Sequence, residues 1–246
     1  RASHGTHSTA PALAAPARAT PARADATGAA TTGGGEVAAE RPGGEHDETS
    51  GGLYGAHLHS TARRRALQLD RYVVLEGLLP PPLLALLRRF YAHLRDDVSG
   101  HAHFQEKTQR HEYFPEVLST YLNFALVPFA SRMSGQRVAP TYPFPITYVP
   151  GGGIHPHLDV SDNELSLTFQ VHLEDAEVWP LTFLDPRGQE LSSLDPTNAS
   201  VVGLRDNDGI LYYGPDIVHW RTPMEATLTQ IVFAFREVDP SHCNNQ

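Results

Sequence analysis

Residues 165–173 constrain the fold more than any other stretch of the chain. Leu165, Leu167, Phe169, Val171 and Leu173 alternate with Ser166, Thr168, Gln170 and His172. Period two puts the first set on one face of a strand and the second on the other. One face needs a hydrophobic layer to cover it. The other is polar along its whole length, which suits either solvent or the lining of a cavity. From Arg137 onward the chain consists of short β-rich runs broken by turn clusters: residues 150–153 (Pro-Gly-Gly-Gly), 185–188, 195–198 and 206–209. Several short strands at this spacing indicate a sandwich or barrel.

The region before Arg137 reads differently. Residues 71–79 form a strand-like run that Pro80, Pro81 and Pro82 stop, setting up a helix start. Leu83, Leu84, Leu87, Phe90, Tyr91 and Leu94 then recur at helical spacing through Arg95. Residues 98–115 are polar and irregular. A second helix is expected from Glu116 to Ser134, with Val117, Leu118, Tyr121, Leu122, Phe129 and Met133 as its buried stripe and a kink at Pro128. Helices followed by a run of strands make an α+β domain with a jelly-roll core.

Composition sets the limits of that domain. Residues 1–60 are dominated by Ala, Gly, Thr, Pro and Ser. They hold too few large apolar side chains to offset the entropy of ordering, so a disordered low-complexity tail or linker is expected there. The first 24 residues contain Arg, Ser and Thr but no acid, as organelle transit peptides do, and their prolines suit a linker equally well. One folded domain is expected over 61–240, with a short C-terminal tail at 241–246. The formal net charge is −9, which is no nucleic-acid footprint, and Arg63, Arg64 and Arg65 read as a solvated start to the domain. No stretch approaches the roughly 20 apolar residues that a membrane span needs. Cys243 is the only cysteine, which excludes a disulfide framework and a thiolate zinc site.

The residues suited to chemistry lie between the glycine cluster and the alternating strand. In the phrase Ile154-His155-Pro156-His157-Leu158-Asp159, His157 and Asp159 stand two apart. On extended chain they project from one face, close enough to share an ion. A lone His-x-Asp is common and needs a third donor. His219, sixty-two residues further on and flanked by Val218 and Trp220, supplies one. Two imidazoles and one carboxylate leave three positions of an octahedron open on one side, as iron(II) sites that bind substrate and O2 together require. Zinc more usually takes three ligands and a water in tetrahedral geometry, and the same donors also suit manganese.

With those residues in place, the stretch 142–237 resembles the 2-oxoglutarate/Fe(II)-dependent dioxygenase superfamily, near its prolyl 4-hydroxylase-like and phytanoyl-CoA dioxygenase-like branches. Tyr148-Val149-Pro150-Gly151 leads to His157-Leu158-Asp159. Trp179-Pro180-Leu181, Asp208-Gly209 before Tyr212, and His219-Trp220-Arg221 follow in order. The resemblance implies a double-stranded β-helix (jelly roll, cupin-like) with flanking N-terminal helices. It implies Fe(II) held by His157, Asp159 and His219, 2-oxoglutarate as co-substrate, O2 as oxidant, and release of succinate and CO2. Halogenating relatives replace the carboxylate ligand by a small residue. Asp159 therefore implies hydroxylation or desaturation of a C–H bond, in a small molecule or a protein side chain.

One departure matters. Many members carry a basic residue about ten positions past the distal histidine, where it clamps the far carboxylate of 2-oxoglutarate. Here residues 226–231 contain neither Arg nor Lys, yet a buried carboxylate needs a charge partner. Arg221, two residues past His219 on the same strand, is the leading candidate. Arg236 and His172 are alternatives, and Thr229 and Tyr148 could add hydroxyls. The missing residue also keeps open an iron oxidase of the same fold that does not use 2-oxoglutarate, and a non-catalytic metal-binding jelly-roll module. His101, His103 and His111 fall in the polar loop before the second helix, which could cover the mouth of a barrel.

Overall fold

The computed structural model describes residues 60–96, 102–113, 116–186, 193 and 195–238. The expected tail over 1–60, apart from Ser60, and the C-terminal tail over 241–246 lie outside the described residues, as does His101. All elements below belong to the unit spanning Glu48–Gln246.

The first described element was not expected. Helix α1 (Thr61–Asp70) precedes the strand-like run; the Ser60 side chain caps it by accepting from the Arg63 amide, and it ends where Arg71 takes a left-handed conformation at φ 65°. Its arginines obscure the apolar pattern, because Leu67 alone among its residues is buried. Strand β1 (Tyr72–Leu75) and helix α2 (Pro81–Asp96) follow as the sequence predicts.

The segment expected to be irregular forms a hairpin. Strands β2 (His103–Gln105) and β3 (Arg110–Glu112) pair with each other, and β3 pairs with β4 (Val138–Tyr148). Helix α3 (Val117–Ser134) starts one residue inside the expected boundary, with the Glu116 carboxylate accepting from the Leu118 and Ser119 amides as its cap. Its buried face differs from the expected stripe. Val117 and Tyr121 are exposed, while Ser119 and Asn123 are buried beside Leu122, Leu126, Phe129 and Met133. Hydrogen bonds permit this: Asn123 donates to the Ala234 carbonyl at 3.4 Å, and Ser119 lies within the cap made by Glu116. A stripe read from apolar residues alone is thereby turned from its true direction.

The remaining strands are β5 (Gly152–His157), β6 (Leu165–Glu174), β7 (Leu181–Leu184), β8 (Ser200–Val202), β9 (Gly209–Tyr212), β10 (Val218–Met224) and β11 (Thr227–Glu237). Among the described residues they form two antiparallel sheets. The larger runs β1-β9-β6-β11-β4-β3-β2 and the smaller β5-β10-β7-β8. This is the expected α+β arrangement, a jelly roll with helices on one side. The outer face of the larger sheet (Leu165, Leu167, Phe169, Ile231, Phe233 and Phe235) joins Leu84, Leu87, Phe129 and Met133 of the helices in the main core. No helix among the described residues is long and apolar enough to cross a membrane.

Strand β6 obeys period two only as far as Gln170. Gln170 lies opposite Gln230, but the next partner pair is His172 with Thr229, so Val171 is an extra residue on β6. Such a bulge reverses the facing of the residues beyond it. His172 turns away from the inner face, and its Nδ1 lies 2.8 Å from Asp206 Oδ2. Leu173 turns inward to a small cluster with Tyr148, Trp179 and Leu228.

Asp206 ties this region together. Its carboxylate accepts from Arg88 of α2 at 2.6 Å and from the Leu173 amide at 2.8 Å, in addition to meeting His172. Replacing it strands a backbone N–H and loses charge-assisted bonds that are only partly shielded from solvent. Asp206→Ala is expected to lower stability by about 2 kcal/mol while leaving metal affinity unchanged. Urea unfolding and a metal titration on the same preparation check both halves.

Candidate metal centre

Strands β5 and β10 pair so that His157 stands directly opposite His219. Residues facing each other on antiparallel strands project to the same side, and the two ring centres are 4.2 Å apart. Both rings are oriented alike. His157 Nδ1 lies 2.9 Å from the His155 carbonyl, and His219 Nδ1 lies 3.1 Å from the Ile217 carbonyl. Each carbonyl can only accept, so each Nδ1 carries the proton and donates. Both Nε2 atoms are left with lone pairs.

Those lone pairs converge on Asp159. Its Oδ1 lies 3.5 Å from His219 Nε2 and 3.9 Å from His157 Nε2. Its other oxygen, Oδ2, accepts from the Ser166 hydroxyl at 2.6 Å, and its backbone N–H donates to the Gly214 carbonyl at 3.0 Å. The carboxylate thus has one oxygen held by the protein and one turned to the imidazoles. One donor atom from each of the three residues falls within 4.8 Å of the others. Outer hydrogen bonds that fix tautomer and orientation in this way are what a metal ligand set requires.

Protonation favours the same use. Burial, and then the neighbouring His219, push the His157 imidazole below its ordinary value. His157 is therefore more readily neutral, with a lone pair for a metal, than a free imidazole at the same pH. Burial opposes ionisation of Asp159, but the facing His219, then Ser166 and His157, outweigh it and hold the carboxyl below the usual carboxylate range. His219 is almost fully buried, whereas His157 is one-third exposed, so the site opens to solvent on the His157 side.

The triad lies in the wall of a cavity of about 270 Å³ between the two sheets. Arg221, two residues past His219 on β10, faces the same interior, and so does Tyr148 of β4. Arg221 is fully buried. Its Nη1 donates to the Trp179 carbonyl, its guanidinium carbon lies 5.8 Å from the Trp179 ring centre, and its Nε and Nη2 have no hydrogen-bond partner. Burial lowers its pKa to about 10, with Tyr148 and Tyr212 partly opposing the shift, so it remains a cation at neutral pH.

Three other residues expected at the site stand elsewhere. Thr229 shares an outer-face position with Thr147, and their hydroxyls lie 2.9 Å apart. His172 is turned to the same face by the bulge. Arg236 is exposed at the far end of β11, opposite Ala139. None of the three lines the cavity.

Two residues that sequence reasoning did not assign shape the site. The Tyr212 hydroxyl lies 3.4 Å from His219 Nε2 and 3.3 Å from Thr168 Oγ1. Burial, then the charge of Asp159, push its pKa well up, so it stays a neutral phenol. Gly214 is the other. A Cβ there would sit 2.2 Å from Asp159 Oδ2 and 2.7 Å from its Cγ. The sequence signal was the Tyr-Tyr-Gly phrase before His219, but a close approach to a residue fifty-five positions away cannot be read from it. Gly214→Ala is expected to displace the carboxylate and weaken Mn(II) or Fe(II) affinity about tenfold or more. Titration of the two metals into wild type and variant measures this, and equal affinities would refute the close packing described.

No protein-family model and no curated sequence matches the chain. Solved structures do. EctD from S. alaskensis, with 2-oxoglutarate and 5-hydroxyectoine, is 14% identical, with a TM-score of 0.58 over 76% of this chain and 79% of that one. The epimerase SnoN from nogalamycin biosynthesis, with Fe3+, alpha ketoglutarate and nogalamycin RO, is 12% identical, with a TM-score of 0.55 over 72% and 82%. A prolyl hydroxylase from Trichoplax adhaerens, with a peptide fragment of hypoxia inducible factor, is 11% identical, with a TM-score of 0.54 over 75% and 91%. At such identities the likeness is one of fold. The chain has the jelly-roll fold of the non-haem 2-oxoglutarate-dependent oxygenases.

Proposed function

We propose that this chain is an Fe(II)- and 2-oxoglutarate-dependent oxygenase that oxidises a C–H bond of its substrate, with hydroxylation as the expected outcome. His157, Asp159 and His219 would hold the metal, and Arg221 the far carboxylate of 2-oxoglutarate. The observation that carries this reading is Arg221: a buried guanidinium with two unpartnered nitrogens, in the same cavity as the triad. An isolated buried cation is costly, and an anionic ligand removes that cost. An iron oxidase without a dicarboxylate co-substrate would need some other anion to meet it. Iron and 2-oxoglutarate bound to structures of this fold support the same assignment.

Once bound, iron(II) and 2-oxoglutarate supply the activation of O2, coupled to decarboxylation of 2-oxoglutarate to succinate and CO2. The protein's own residues do the positioning. His157, Asp159 and His219 would hold the metal at the cavity wall, where the substrate can reach it. Arg221 offers Nε and Nη2 as a fixed fork to a carboxylate. Tyr148 accepts from Arg110 Nη1 at 3.3 Å, which leaves its own O–H free to donate to the same carboxylate. The Tyr212 phenol, neutral and buried beside His219, can donate but carries no charge that would compete with Asp159. Structures of this fold hold both small molecules and a peptide, and the substrate of this chain is of one of those classes.

The test is direct. Anaerobic calorimetry of the iron-loaded protein is expected to show 2-oxoglutarate binding, and succinate is expected to form in air. Arg221→Gln should weaken 2-oxoglutarate binding by at least about 30-fold, the lower end of the loss when one partner of a buried charge pair is removed. Metal affinity should be retained. Absence of 2-oxoglutarate binding by the wild type overturns the reading. Undiminished binding by the variant overturns the role of Arg221.

A further inference from the structure

The cavity wall holds a second guanidinium. Arg110, from the hairpin that extends the larger sheet, lies directly opposite Tyr148 and therefore on the inner face. Its guanidinium carbon is 5.1 Å from the Phe144 ring centre and 5.8 Å from that of Tyr148. The side chain is mostly shielded, at 13% exposure. Glu112, two residues along the same strand, accepts from Nε at 3.0 Å, and the same oxygen lies 2.9 Å from Nη2. Nη1 donates to Tyr148. Each terminal nitrogen carries two N–H groups, and these contacts engage one of each. The fork is held in one orientation and keeps donating capacity. Arg110 lines the cavity, whereas Glu112 does not. The cavity meets the cation, and its carboxylate partner stands beside it on the same face, opposite Ile146.

The charges that would meet inside the loaded site make this cation stand out. The two positive charges of the metal and that of Arg221 are matched by Asp159 and the two carboxylates of 2-oxoglutarate. Asp159 is the only acidic residue in the described cavity wall. Arg110 is a further cation of the wall: Glu112 meets it through Nε and Nη2, and an N–H on each terminal nitrogen remains for a ligand in the cavity. Next to Arg110 lie Phe144 of β4, which faces Val232 of β11, and Ile146, which faces Gln230.

We propose that the primary substrate is a small organic acid: a carboxylate bound by Arg110, attached to an apolar or planar body that lies along Phe144. The inference rests on the oxygenase reading but concerns the substrate and not the co-substrate. Arg110 then serves as a specificity residue, selecting acids over their neutral analogues through charge-assisted hydrogen bonds.

The experiment uses the full chain, saturated with iron(II) and 2-oxoglutarate under argon. Binding of 2-oxoglutarate to the wild type is established first, and its absence would refute the oxygenase reading itself. Thermal midpoints and affinities are then measured for 3-phenylpropanoate and octanoate against their primary amides. Both acids are expected to raise the midpoint and both amides to leave it unchanged. Arg110→Gln should weaken acid binding about tenfold or more and Arg110→Lys should restore part of it, while 2-oxoglutarate still binds both variants. The proposal is overturned if acids and amides bind alike, or if neither binds to a protein that binds 2-oxoglutarate. It is overturned equally if Arg110→Gln loses 2-oxoglutarate instead, since Arg110 would then be a co-substrate anchor. The acid–amide comparison on the wild type needs no variant to fold.

Discussion

The antiparallel pairing of β5 with β10 is the constraint on which the site depends. It sets His157 opposite His219 with both side chains to one side, although the two are far apart in sequence. Ladder hydrogen bonds fix that register, and a slip of one residue would turn one imidazole to the opposite face. The pairing then breaks register beyond His219, where Arg221 faces Ile154. The irregularity falls just past the ligands, so the metal donors sit on the regular part of the ladder. Asp159 is placed by a different device. It lies beyond the end of β5 and is held by Ser166, by the Gly214 carbonyl and by the space that Gly214 leaves.

How much of this was legible depends on how local the information was. The two-residue spacing of His157 and Asp159 pointed to their convergence, although Asp159 lies past the end of β5, and His219 needed only a strand context around it. The three lie together. Arg221 could be placed by the same parity rule from His219. His172 could not, because its facing depends on a bulge at Val171 that no local pattern announces. The residue is polar and continues the alternation, and only the pairing with β11 reveals that the count has shifted. Thr229 sits across from it and shares its fate. Arg110 was lost for another reason. A three-residue strand in a polar segment has too little sequence to show a period, and it becomes a strand only because β4 offers it an edge.

The helical side shows the same division. Helix α2 carries its apolar stripe openly and was read correctly. In α3 the buried face runs through Ser119 and Asn123; hydrogen bonds at the Ser119 amide and at Asn123 Nδ2 offset part of that cost, and Asn123 Oδ1 has no partner. Apolar periodicity finds the helix but misjudges its rotation wherever polar groups enter the core.

The position of the cation that faces 2-oxoglutarate in the proposed function has a physical consequence. Placing it on β10, two residues from His219, means that one short strand carries both a metal donor and the carboxylate partner, so their separation is set by strand geometry and not by packing between strands. Such a group must keep its charge in a fully buried position. Burial brings even Arg221 down to about 10, which still leaves it charged at neutral pH. A lysine starts from a lower pKa and gives up its proton more readily when buried. The planar guanidinium also meets a carboxylate with two parallel N–H groups, whereas an ammonium offers a point charge without that directionality. At this position, with no acidic side chain to share the burial, arginine is the residue that physical chemistry favours, and the unpartnered nitrogens at Nε and Nη2 are what that choice leaves for a ligand.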